Sequence, residues 1–245
     1  MPKIIPPGGA VSWHAEEGTL GVVGVAPWAT LEFSRCFYEL IVAEKDWHYP
    51  RVLLDINTKL PSRGRHLQLG EQDPSPYISA TIAELAAAGA TVAVVACNTA
   101  HILFDRWAAG SPIPIINIVD AVVTQACRAG ASKVLALTSA SLAENGMYQK
   151  KAVEAGLTCQ SLPAELQQIV NSFIDQVKLK GALSLDSKIA VTALLDFCVE
   201  QMVDTVFLGC TELSVLHTPI QNAGVCAIDS NEALARVAYS AIKVA

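Results

Sequence analysis

The sequence predicts an α/β fold of two pseudosymmetric lobes, each a mainly parallel sheet flanked by helices, with a site between the lobes. Three observations predict it. Short β-branched runs alternate with Ala- and Leu-rich segments of helical period. One block of the chain recurs, with its apolar strand, its cysteine and its small polar residues in the same order. The 245 residues are 52% apolar, enough to bury one large core or two lobes of roughly 100 to 120 residues each.

The elements follow in order. Leu20 to Val25 reads as the first strand, and its polar turn leads into a helix over Ala29 to Glu44. Val52 to Asn57 is the next strand, followed by a helix over Tyr77 to Ala88, the strand Val92 to Cys97 and the short strand Ile115 to Ile118. A helix over Asp120 to Ala129 then leads to the strand Val134 to Thr138. Helices over Leu142 to Ala155, Gln167 to Lys178 and Ser187 to Gln201 precede the strand Thr205 to Cys210. The strand Val225 to Ile228 and a helix over Asn231 to Val244 close the chain. In such sheets ligands sit at the carboxyl ends of the strands.

The repeat sets the architecture. Gly89 to Ala100 is echoed by Val203 to Glu212, each an apolar strand ending in a cysteine, Cys97 and Cys210. After each cysteine come a second short strand and an aspartate that opens a helix, Asp120 and Asp229, so the cysteine-to-aspartate spacings are 23 and 19 residues. A lobe of residues 1–118 plus 222–245 would face a lobe of residues 119–221, each presenting one cysteine at a strand tip.

Composition excludes several classes. The net charge of -6, with no run of Lys or Arg, offers no field to a polyanion, so nucleic acid is not expected as a partner. The longest aliphatic stretches fall far short of the roughly 20 residues that span a bilayer. The N-terminal segment, with Pro6, Pro7, Gly8, Gly9 and Glu16-Glu17, lacks a secretion signal and reads as an extension or early loop. Seven cysteines spread over the chain do not form a small disulfide framework, which implies reduced thiols and a cytoplasmic protein. No CxxC, HExxH or His/Cys cluster at ligand spacing suggests a metal. Cys36, Cys127, Cys159, Cys198 and Cys226 sit in apolar patterns and read as packing.

Cys97 and Cys210 differ. Inverting a stereocentre beside a carboxylate removes a proton on one face and delivers one on the other, so two groups must approach from opposite sides in opposite protonation states. Two thiols at strand-to-helix turns can do this, the turn drawing their ordinary pKa of about 8.5 toward neutrality. The same backbone N–H groups could hold a carboxylate and stabilise the developing carbanion. The alternative is two small residues merely buried at strand ends.

The motifs Ala96-Cys97-Asn98-Thr99-Ala100-His101 and Gly209-Cys210-Thr211-Glu212-Leu213 resemble the paired cysteine motifs of the aspartate/glutamate racemase superfamily, and of its aspartate racemase branch in particular. The resemblance extends from Leu20 through most of the chain, taking in Pro27 to Thr30, Asn57 with Arg63, Pro74 to Pro76, Ile113 to Ile115 with Asp120, and Gly146 with Tyr148. It implies a homodimeric racemase or epimerase of aspartate or glutamate that works without pyridoxal phosphate or other cofactor and without metal. Cys97 and Cys210 would be the acid/base pair. Asn98, Thr99 and Thr211 would bind the α-carboxylate, Arg63 the side-chain carboxylate, and Asn57 would line the pocket. Lys180 is either a second carboxylate contact or a solvated helix-end residue, and Thr138 either a cap or a substrate contact. Glu212 either orients Cys210 or caps the next helix, and His101, four residues after Cys97, either faces the site or does not. Arg65 reads as a surface charge. The opening loop Gly24-Val25-Ala26-Pro27 is shorter and bulkier than the family's glycine-rich run, which bears on substrate choice. Relatives that isomerise dicarboxylates or decarboxylate malonates, and a non-catalytic amino-acid-binding homologue, stand as alternatives.

Overall fold

The computed structural model describes residues 17–181 and 185–244, the side chains of 185–190 and 244 excepted. The N-terminal extension, residues 1–16, lies outside the described residues. In the first half, strands β1 (Leu20–Gly24), β2 (Val52–Ile56), β3 (Val92–Val95) and β4 (Ile115–Ile116) form one sheet in the order β2-β1-β3-β4. In the second, β5 (Lys133–Leu137), β6 (Thr158–Gln160), β7 (Thr205–Leu208) and β8 (Cys226–Asp229) form another in the order β6-β5-β7-β8. Every pairing is parallel. The two sheets share one topology, as the repeat predicts.

The helices are α1 (Pro27–Glu39), α2 (Arg63–Leu69), α3 (Ser75–Ala87), α4 (Phe104–Ala108), α5 (Ile118–Arg128), α6 (Ala140–Asn145), α7 (Met147–Glu154), α8 (Ala164–Lys180), α9 (Leu185–Glu200), α10 (His217–Asn222) and α11 (Ser230–Val244). The helix expected over Leu142 to Ala155 is two, because Gly146 ends α6 in the left-handed region at φ 71°. A residue there without a Cβ closes one helix and opens the next at little steric cost. Strand β6 had no sequence signal: at three residues, carrying Cys159 and Gln160 on a sheet edge, it is too short to show alternation. The strand Cys226–Asp229 pairs with β7, so a boundary at 221 divides the second sheet. Helix α11 alone returns to the first lobe, packing on α1, β3 and β4 as well as α5.

Parallel strands covered on both faces must be apolar on both, and alternate residues serve different cores. Val92, Val94 and Ala96 face a central cluster shared by both lobes, with Phe33, Phe37, Val122, Phe207 and Leu234. Ala93 and Val95 face an outer cluster under α3. Phe207 points into the central cluster while Val206 and Leu208 meet the outer layer of α8 and α9. The shared middle layer fixes how the strand ends of one lobe meet those of the other. No helix among the described residues is long and apolar enough to cross a membrane.

Candidate active site

In the order β2-β1-β3-β4 the winding reverses between β1 and β3, which leaves a crevice beyond their carboxyl ends. Cys97 stands in it, two residues past the end of β3. Its backbone is held tightly: its N–H donates to the Val95 carbonyl at 2.8 Å, and His101 Nδ1–H donates to its carbonyl at 2.9 Å. His101 is buried against Phe104 and Trp107, and burial pushes its imidazole down to about 4. It is a neutral brace behind Cys97 and does not line the cavity.

Cys210 occupies the equivalent place, two residues past β7. The preceding Gly209 is required by packing, since a Cβ there would lie 2.7 Å from the Tyr148 ring and 2.8 Å from Thr138 Cγ2. The Cys210 side chain is buried, and its thiol donates to Glu212 Oε2 at 2.9 Å. Burial first, then the Glu212 carboxylate, push this thiol well above its ordinary range, with Lys178 opposing more weakly. Cys210 is therefore a protonated thiol at neutral pH. The expectation that the turn draws it toward neutrality is corrected: desolvation and a neighbouring carboxylate outweigh backbone dipoles.

Both cysteines line one cavity of about 200 Å3 between the lobes. Val25, Arg63, Asn98 and Thr99 complete the first lobe's wall, and Ser139, Asn171, Asp175, Lys178, Thr211 and Glu212 the second's. A hydrogen bond of 2.9 Å between Thr99 Oγ1 and Ser139 Oγ ties the walls together. Arg63 opens α2, its Nη1 donating to the Pro61 carbonyl at 3.2 Å while its buried Nε has no protein partner. Arg65 is paired with Glu71 on the surface, as expected.

Asn98 lines the cavity, but its side chain is turned to other partners, accepting from Tyr148 Oη at 2.6 Å and donating to Ser230 Oγ at 2.9 Å. Other expected residues lie elsewhere. Asn57 is outside the cavity, its Oδ1 accepting from the Lys59 N–H in a tight turn. Thr138 is also outside and buried, its hydroxyl on the Ser139 carbonyl and its own carbonyl on Gln167. Lys180 is exposed and does not line the cavity. Lys178 takes the place expected of it, because two helical residues subtend about 200° and turn Lys180 to the opposite face. Asn171, Ile174, Asp175 and Lys178 are spaced i, i+3, i+4, i+7 on α8, the one signal by which the sequence could have disclosed this wall.

The remaining cysteines are mixed. Cys36 and Cys198 are buried, Cys159 and Cys226 partly so, and Cys127 is exposed on α5, contrary to a packing role. Outside the cavity lining, Glu32, Cys36 and Asp229 bring ligand atoms within 4.8 Å of one another. Burial, with Asp229 and Glu32 adding to it, pushes the Cys36 thiol up to about 12, and Arg35 pairs with Glu32, so the thiolate a metal needs is disfavoured.

Comparison with known proteins places this geometry. The model of the Asp/Glu/hydantoin racemase family matches residues 21–238. The chain belongs to that family. Glutamate racemase of Aquifex aeolicus is 30% identical over 153 residues, 60% of this chain and 57% of that protein. Glutamate racemase of Shewanella woodyi is 29% identical over 170 residues, 68% and 61% of the two lengths. The chain thus spans about three fifths of these curated relatives. Aspartate racemase of Picrophilus torridus superposes with a TM-score of 0.80 at 26% identity, covering 92% of this chain and 94% of its own. An aspartate racemase homologue from Pyrococcus horikoshii OT3, at 22% identity and a TM-score of 0.76 over 92% and 99% of the chains, shares the racemase fold.

Proposed function

We propose that this racemase-family chain inverts the α-carbon of an acidic amino acid, aspartate or glutamate, with Cys97 and Cys210 as the two bases. One observation carries the reading: thiols from equivalent positions of the two lobes line a single cavity that also holds Arg63 and Lys178. One thiolate removes the α-proton while the opposite thiol delivers another to the far face. Cys210, protonated at rest, is the donor in the resting form, and the roles exchange for the other enantiomer.

Backbone and hydroxyl donors around Asn98, Thr99 and Thr211 bind the α-carboxylate and stabilise charge as the carbanion forms. The free Arg63 Nε and the Lys178 ammonium take the side-chain carboxylate. Asp175 gives the substrate ammonium a partner. A dicarboxylate or malonate has no such group, so this wall favours an amino acid over the isomerase and decarboxylase readings. The two thiols complete the proton transfer without pyridoxal phosphate, and the protein acts as a cytoplasmic homodimer.

Proton NMR in D2O with L- and D-aspartate and glutamate tests the reading. Loss of the α-proton signal with growth of the other enantiomer is expected, at a rate that added pyridoxal phosphate leaves unchanged. Full activity in Cys97→Ala or Cys210→Ala would sink the two-base model. A chain that exchanges no amino acid but isomerises maleate would shift the assignment to dicarboxylates.

A further inference from the structure

Racemisation by two thiols leaves the enzyme in the opposite protonation form after each turnover. To take the same enantiomer again, it must lose a proton at one cysteine and regain one at the other. Cys97 is partly exposed at the cavity wall, within reach of solvent through the cavity mouth. Cys210 is only 5% exposed and its Sγ faces Glu212. Glu212 lines the substrate cavity and also a second cavity, of about 420 Å3, between α1, the end of α8 and the turn Thr211–Leu216. The rear cavity opens at the surface, where Trp28, Leu31 and Val215 are 45%, 49% and 37% exposed.

Resting on the two-cysteine reading, we infer that Glu212 is a proton relay between Cys210 and solvent in the rear cavity, acting while the substrate cavity is occupied or closed. After Cys210 has given its proton to the carbanion, an acid in the rear cavity, hydronium or a buffer acid, protonates the Glu212 carboxylate and leaves as water or its conjugate base. The Glu212 carboxyl O–H then passes that proton to the Cys210 thiolate, restoring thiol and carboxylate. The reverse sequence drains Cys210 when the other enantiomer is consumed. The Thr211 hydroxyl, 3.3 Å from the same carboxylate oxygen, holds it in place. Among the described residues no carboxylate takes the equivalent place behind Cys97, whose brace His101 bonds its backbone carbonyl.

The test separates resetting from chemistry. In a saturating racemic mixture, carbon-13-labelled L-substrate crosses to the D-pool without any reset, because each enzyme form is consumed by the opposite enantiomer. One-way conversion of a pure enantiomer requires the reset in every cycle. In Glu212→Gln, the ratio of the saturated one-way rate to the label-crossing rate should fall at least ten-fold. In Glu212→Ala the same low ratio should be raised by added formate, a small acid that fits the space vacated. A ratio unchanged from wild type, whatever the loss in the separate rates, overturns the relay and leaves Glu212 a packing partner of Cys210. A wild-type chain that moves no label between enantiomers overturns the racemase reading itself.

Discussion

Within the cavity, Arg63 and Lys178 are the two cations that the proposed substrate carboxylate would meet. A hydrogen bond to a charged group contributes about 1.5–3 kcal/mol. Arg63→Ala should therefore raise KM about 10- to 100-fold, with kcat less affected, in steady-state kinetics. Asp229 shows a second residue-level effect, since burial pushes its carboxyl up to about 6. The folded chain then binds a proton between pH 6 and the unfolded value of 3.8 that the unfolded chain does not, so this group stabilises as pH falls through that window. Asp229→Asn removes the linkage and keeps an acceptor for the Asn231 N–H. From pH 7 to pH 4 the wild type should gain about 2–3 kcal/mol relative to the variant in urea unfolding. A constant difference between the two would show that Asp229 is not held protonated by burial.

Two elements position the side chains that line the cavity. Helix α8 presents Asn171, Asp175 and Lys178 on one face, so Lys178→Ala should raise KM strongly, while Lys180→Ala should stay within about two-fold of wild type. Equal effects would mean that the helix is rotated in solution. The turn after β7 depends on Gly209, where a Cβ meets the Tyr148 ring and Thr138. Overpacking of this kind costs about 1–3 kcal/mol. Gly209→Ala should lower the melting temperature and displace Cys210, with most activity lost. Element boundaries were legible where the signal was local and strong: all seven expected strands coincide with β1, β2, β3, β4, β5, β7 and β8 to within two residues at each end. Helix α2 and strand β6 were not, because none of the seven residues of α2 is buried to mark an apolar face and three residues of strand are too few to show alternation.

For the whole molecule, the site exists only because two lobes share a middle core and are bridged across the crevice. Tyr148 of the second lobe donates to Asn98 of the first, and Asn98 in turn donates to Ser230 at the start of α11. Tyr148→Phe leaves the buried Asn98 oxygen unpaired, a loss of about 1–3 kcal/mol. Urea unfolding should detect it with an unchanged m-value, and kcat should fall as the Cys97 turn loosens. The repeat, the parallel architecture and the two cysteines were set by sequence alone, because strand runs and motifs are properties of consecutive residues. Tertiary structure alone decided that Lys178 and not Lys180 lines the cavity, that Asn57 and Thr138 stay out of it, and that Glu212, bonded to Cys210, also lines a second cavity. Those outcomes turn on helix rotation, on which face of a turn is desolvated and on how two lobes close over each other, none of which is encoded in the order of neighbouring residues.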